Sequence, residues 1–298
     1  MTKKYPLEPG EEYPSTPMAY SSYLSAQDLL DQKVLLSPEQ LVQLKGVNGD
    51  TQEVKELQGI LGDALWIAMH TKPIVKFALQ IYSRKVSPNP TLYDLKQARR
   101  IILYCIGTKD IPRIIGGKYG AVLTGTVDSA FATHLDRKGQ TGLTIHVGGG
   151  GAAIVESVKQ KVLTGSSAES EVHGNEYYVR TLKWARNFCE ELGFDQSIPF
   201  PNGTPTGEDN MSAMKILTNE CNSGKTRHMD LRIKIIREAL QNKIFQMFHL
   251  PTENMPSDLV TKALPPGIFN HLADYCLGHK QLEEFLPFLQ QLLVTTTN

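Results

Sequence analysis

The sequence predicts an α/β fold in which a five-stranded mixed sheet is flanked by helices and preceded by a small all-helical unit. Three observations lead there. From Thr51 to Thr108 apolar residues recur every three or four positions, the spacing of one helix face. After Gly116 and Gly117 the pattern changes to β-rich runs, Ala121 to Val127, Thr141 to Val147 and Ala152 to Val158, with Gly148 to Gly151 as a hairpin between the last two. From Ser167 onward helix and strand patterns alternate. A long helix reaches Leu192, a short strand precedes Asp209, and a helix covers Asn210 to Thr218. A basic helix from Arg227 to Leu240, a strand from Lys243 to Leu250 and a helix opening at Pro256 follow.

The boundaries fall at 1–50, 51–115, 116–265 and 266–298. The first stretch carries Pro6, Pro9, Pro14 and Pro17 and is expected to be a poorly structured extension with little core of its own. In the helical unit Leu57, Ile60, Leu61, Ala64, Leu65 and Ala68 mark the first helix, and Pro73 the start of a second. Pro88 and Pro90 precede a third, which sets Leu92, Leu95, Ala98, Ile102 and Cys105 on one side and Lys96, Arg99 and Arg100 on another. That basic side reads either as a solvated face or as a surface that tracks phosphates. The last segment repeats Leu282, Phe285, Leu286, Phe288, Leu289 and Leu292 at helical spacing, as a helix that docks on the core.

Composition narrows the function classes. Thirty-one basic residues balance 31 acidic ones, which argues against a surface that is wholly a footprint for nucleic acid but permits a local basic stripe. No apolar run approaches the roughly 18 to 20 residues of a membrane span, and Met1 to Pro6 lead into no apolar signal core, so an intracellular address is expected. Cys105, Cys189, Cys221 and Cys276 lack metal-ligand spacing and read as reduced thiols. Gly148 to Gly151 is not a phosphate loop, because a strand follows it and no Gly-Lys-Ser/Thr does.

Candidate chemistry lies in the acids. Hydrolysis of a phosphodiester by two metals needs carboxylates from separate elements to converge on hard cations. Asp128 ends or interrupts an apolar strand, where a buried carboxylate is costly without a partner or cation. Ser166 and Glu169 have capping-box spacing, which would use up Glu169 and leave Glu171, pointing to the far side of the helix, as the candidate ligand. Asp209 reads as a ligand or as the N-cap of the next helix, and Asp258 as a ligand or as an acid favoured in a first helical turn after Pro256. Order and placement favour the metal reading: acids on the first strand, on the first helix after the hairpin, after the fourth strand and at the last helix.

One long stretch carries a more specific signal. It runs Lys225-Thr-Arg-His-Met-Asp-Leu-Arg232, continues through Ile236-Arg-Glu238 and Leu250-Pro-Thr-Glu-Asn254, and ends at Asp258-Leu-Val-Thr-Lys-Ala-Leu264. With Asp128, Asp136-Arg-Lys138, the helix start at Ser166 to Glu171, and Asp209-Asn210, it resembles the ribonuclease H domain of copia-type long-terminal-repeat retrotransposon polyproteins. Leu61-Gly-Asp-Ala-Leu65, Ser83-Arg84, Asn89-Pro90 and Ala98 to Tyr104 resemble the thumb or tether end of the reverse transcriptase upstream of it.

The resemblance implies that Asp128, Glu171, Asp209 and Asp258 are the metal-binding and catalytic acids. The cofactor would be Mg²⁺, with Mn²⁺ able to replace it, and the substrate the RNA strand of an RNA/DNA hybrid. Lys225, Arg227 and Arg232 join Lys96, Arg99 and Arg100 as candidate nucleic-acid contacts. Val172, Glu208 and Phe131 depart from the family's usual aromatic, cysteine and tryptophan, and no histidine lies between Leu250 and Asp258. No Asp-Asp dipeptide occurs, so a polymerase palm would lie upstream, and the setting would be cytoplasm or a virus-like particle. The alternative is a catalytically inactive hybrid-binding or assembly fragment.

Overall fold

The two kinds of apolar pattern correspond to two units, Met1–Pro112 with Ala263–Asn270, and Arg113–Lys262 with His271–Asn298. The structure, a computed structural model, describes residues 4–19, 52–84, 90–134, 136–218 and 229–295. Among these, no helix is long and apolar enough to cross a membrane.

In the first unit, helix α1 (Gln52–His70) buries Val54, Leu57, Ile60, Leu61, Ala64, Ile67 and Ala68. Leu65, expected on that face, is 52% exposed, because Ile67 completes the stripe instead. A 3-10 turn at Pro73–Val75 leads into α2 (Lys76–Ser83), so Pro73 does open the second helix. Helix α3 (Leu92–Gly107) begins at a reciprocal cap: Thr91 Oγ1 accepts from the Asp94 amide at 3.2 Å, and the Asp94 carboxylate accepts from the Thr91 amide at 2.8 Å.

Residues 4–19 have more core than their prolines suggest, since Tyr5, Thr16 and Met18 are buried. Glu11 holds Arg99 in an ion pair of 2.9 Å, Arg99 also donates to the Pro6 carbonyl, and Arg100 donates to Thr16 Oγ1 at 3.3 Å. The remainder of the expected extension, residues 20–50, lies outside the described residues.

The sheet of the second unit has the order β3-β2-β1-β4-β5. Strands β1 (Leu123–Ala130), β2 (Gln140–Val147) and β3 (Ala152–Lys159) form an antiparallel meander. Strands β4 (Thr204–Glu208) and β5 (Phe245–His249) run parallel to β1, as crossovers through helices require. Helix α4 (Ser167–Glu191) crosses from β3 to β4, and α5 (Met211–Thr218) and α6 (Asp230–Gln241) lie between β4 and β5. Val127, Leu143 and Ile145 from the sheet pack with Val172, Tyr178 and Leu182 of α4, Ile233 and Ile236 of α6, and Phe245.

Three sequence expectations shift. The first strand runs to Ala130 rather than stopping at Val127, because Ser129 and Ala130 continue the ladder opposite Thr141 and Gln140, so Asp128 lies inside it. The helix at Pro256 is a five-residue 3-10 segment, Pro256–Val260, and the next helix, α7 (Pro266–Leu277), starts after Pro265. Two consecutive prolines lack the amides that would have joined the pieces. The C-terminal segment does dock as expected. A turn at Glu283–Phe285 and helix α8 (Leu286–Thr295) bury Leu282, Phe285 and Leu289 against Tyr119, Val122 and Phe200, which makes them part of the second unit's core.

Gly142, opposite Asp128 in the ladder, lets the Pro256–Val260 turn approach the sheet. A Cβ there would lie 2.7 Å from the Ser257 carbonyl oxygen and 2.6 Å from Thr261 Cγ2. Gly142→Ala is therefore expected to cost about 1–3 kcal/mol in urea unfolding, as overpacking of a close backbone contact does. An unchanged midpoint would show that the turn is free to retreat.

Candidate metal centre

Local capping decides which acids are free. Ser166 Oγ accepts from the Glu169 amide at 3.2 Å, and Glu169 Oε2 accepts from the Gly165 amide at 2.7 Å, so Glu169 is spent on the start of α4. Glu171 is left buried and pointing elsewhere. At α5 the cap is Asn210, whose Oδ1 accepts from the Ser212 and Ala213 amides at 3.0 Å each. That removes the N-cap explanation for Asp209, which instead accepts from Thr252 Oγ1 at 2.8 Å.

The three acids then meet. Asp128, Glu171 and Asp209 each present a carboxylate oxygen within 4.8 Å of the others. The pairing of β1 with β4 ends at Thr126 and Gly207, so Asp128 stands beyond the paired segment, beside the chain that leaves β4. Asp128 Oδ2 accepts from Thr261 Oγ1 at 2.5 Å, a contact between residues 133 apart in sequence. Asp258 does not join the cluster of three. It is buried beside Asp128 and forms an ion pair of 2.9 Å with Lys262.

Crowding raises the proton affinity of these groups. Burial, then the charges of Glu208, Asp128 and Asp209, push Glu171 well above the usual carboxylate range. Burial and then Asp128 raise Asp209, and the same two causes push Asp258 up to about 8. Glu208 is fully buried and accepts from Asn175 Nδ2 at 2.7 Å and from the Asn210 amide at 3.0 Å. Burial raises it to about 8.

The residues fit a divalent cation. The donors are hard oxygens from separate elements, and Glu171 Oε2 is buried with no hydrogen-bond partner, an orphan that a cation would satisfy. Asp128, Glu171 and Asp209 could hold it. Sequence reasoning missed Asn175, Thr261 and Lys262. Lys262 left a signal, because it stands four residues after Asp258, the spacing of an ion pair over one turn. Asn175 stands in the same relation to Glu171, and Thr261 lies in the specific stretch from Asp258 to Leu264 without being singled out there.

The candidate phosphate contacts are scattered. Lys96 is exposed and Arg99 and Arg100 are engaged as described, all three in the first unit. Arg232 pairs with Glu176 at 3.0 Å beside His173 and Arg180 in a surface cleft of the second unit. Lys225 and Arg227 lie outside the described residues.

These shifts set a pH dependence. Glu208 and Asp258 have folded pKa values near 8, above their unfolded values near 4, so the folded chain binds more protons between those limits. Stability without divalent metal should therefore fall as pH rises from about 5 to about 8.5, since it follows the difference in bound protons. Saturating Mg²⁺ should flatten the decline, because an ion that binds only the folded state stabilises it. Thermal melts in EDTA and in Mg²⁺ check this, and a midpoint in EDTA that rises over that range contradicts it.

Comparison with protein families finds no matching family profile. The chain is 27% identical over 210 residues to the retrovirus-related Pol polyprotein from transposon TNT 1-94 of Nicotiana tabacum, which covers 70% of this chain and 15% of the polyprotein. It is 25% identical over 218 residues to the corresponding polyprotein from transposon RE2 of Arabidopsis thaliana, covering 73% and 15%. The chain thus spans about 15% of the length of these curated relatives. Ribonuclease H1 structures from Halobacterium salinarum and from a compost metagenome are each 13% identical, cover 47% of this chain and 93% of their own, and have TM-scores of 0.31 and 0.36. The fold assignment rests on the strand order, a meander of three antiparallel strands extended by two parallel ones. By sequence the chain is similar to the retrovirus-related Pol polyproteins of plant transposons, and its second unit carries a five-stranded mixed sheet in the order β3-β2-β1-β4-β5.

Proposed function

We propose that the second unit is a retrotransposon-derived ribonuclease H, a metal-dependent endonuclease that cuts the RNA strand of RNA/DNA hybrids. The observation that carries this reading is the convergence of Asp128, Glu171 and Asp209 within 4.8 Å, with one buried glutamate oxygen left without a partner. A bound divalent ion, Mg²⁺ with Mn²⁺ as substitute, would neutralise the phosphate's charge and make a water nucleophilic.

The chain's own residues set the stage for that ion. Thr261 and Thr252 fix the rotamers of Asp128 and Asp209 through hydroxyl donors. Asn175 and the Asn210 amide each donate to one oxygen of the Glu208 carboxyl and hold it as a buried support beside the ligands. Asp258, with Lys262 across from it, completes the acidic set on the side of Asp128. We further propose that the chain derives from a copia-type element, that its reverse-transcriptase palm is supplied upstream, and that it works in the cytoplasm or a virus-like particle.

Cleavage of an end-labelled RNA/DNA hybrid by the full chain tests the function. Cutting should require Mg²⁺ or Mn²⁺ and stop in EDTA. Asp128→Asn and Asp209→Asn should each lower the rate by about a hundredfold or more, the scale of losing positioned electrostatic groups, while hybrid affinity stays close to wild type. Full activity in Asp128→Asn would refute the mechanism. Salt-dependent hybrid binding without cutting would leave the inactive binding fragment as the function.

A further inference from the structure

Asp258 lies against Asp128, outside the three acids that converge within 4.8 Å, and is paired with a cation of the chain. Its Oδ1 lies 2.9 Å from Lys262 Nζ, an ion pair over one turn. The chain from Asp258 to Lys262 closes in one turn, with the Thr261 and Lys262 amides each 3.3 Å from the Asp258 carbonyl oxygen. The turn sets the lysine over the acid, and the ammonium also feels the charges of Asp128 and Asp209. The two partners differ in freedom. The Asp258 side chain is 3% exposed, whereas that of Lys262 is 38% exposed on a flexible four-carbon stem with solvent to withdraw into.

On the metal-centre reading above, we infer that Lys262 is a tethered cation that occupies the second cation position of the site. One divalent ion binds tightly at Asp128, Glu171 and Asp209, and a second reaches Asp258 only by displacing the Lys262 ammonium. Charge favours this division. Asp128, Glu171, Asp209 and Asp258 sum to four negative charges when ionised, and one divalent ion with one ammonium already supplies three positive ones.

Titration of the full chain with Mn²⁺, followed by electron paramagnetic resonance of the free ion, tests the division. Wild type should bind one ion tightly and a second at least about tenfold more weakly, a gap of roughly 1.4 kcal/mol. Lys262→Met should tighten the second site by about tenfold and leave the first within about threefold, whereas Lys262→Arg should keep two unequal sites. Reductive methylation of wild type, mapped by mass spectrometry, gives a reading that needs no variant. Lys262 should react slowly without metal and with one equivalent of Mn²⁺, and faster at saturation. Two equal sites in wild type, unchanged affinities in Lys262→Met, or a flat Lys262 reactivity would each overturn the lysine's role while leaving the metal centre intact. No Mn²⁺ bound by wild type would overturn the metal centre and the lysine's role with it.

Discussion

Carboxylates repel one another once water is removed from between them, and the second unit is organised around tolerating that repulsion. Asp128, Glu171, Glu208 and Asp258 are all buried, and Asp209 is close beside them. An unpaired buried charge costs several kcal/mol even after the surroundings relax. Each acid escapes by a different route. Burial favours the protonated form of Glu208, Asp258 takes an ammonium, Asp128 and Asp209 accept from threonine hydroxyls, and Glu171 keeps an oxygen that no described residue satisfies. The residual imbalance is what suits the site to a cation.

Much of this was legible because capping has strict local grammar. The spacing of Ser166 and Glu169 is enough to separate a structural glutamate from a free one, and the structure differs only in which amide Glu169 satisfies, that of Gly165. The Asp209-Asn210 pair was ambiguous in sequence because both residue types cap helices well. Asn210 takes the role, and Asp209 becomes available through its neighbour's geometry. Strand alternation also explains the misplaced end of β1. A carboxylate looks like a terminator in an apolar run, yet it can continue a strand whose ladder is carried on by Ser129 and Ala130.

What stayed hidden depends on distant partners. Arg99 and Arg100 form part of a basic helix side by spacing alone, and only the fold reveals that Glu11 and Thr16, more than 80 residues earlier, engage them. Tyr5 and Met18 are buried within a segment whose composition reads as unstructured, because two anchoring side chains barely change an average over 50 residues. Glu208 is a similar case. Burial favours its protonated form, and the Asn175 amide that donates to it stands 33 residues away, a contact no local pattern announces.

The hydrogen bond from Thr261 to Asp128 joins the first strand of the sheet to a turn 133 residues later. Contacts of such long sequence separation form late, after the entropy of closing the intervening chain has been met. On a ribosome, the first strand, the meander and the long helix emerge well before that turn does, so Asp128 and Glu171 are made long before Thr261, Asp258 and Lys262 can reach them. A growing chain therefore carries an unfinished acid cluster, without its threonine donor or its ammonium. No partial product that ends before that turn has the full set of groups around Asp128.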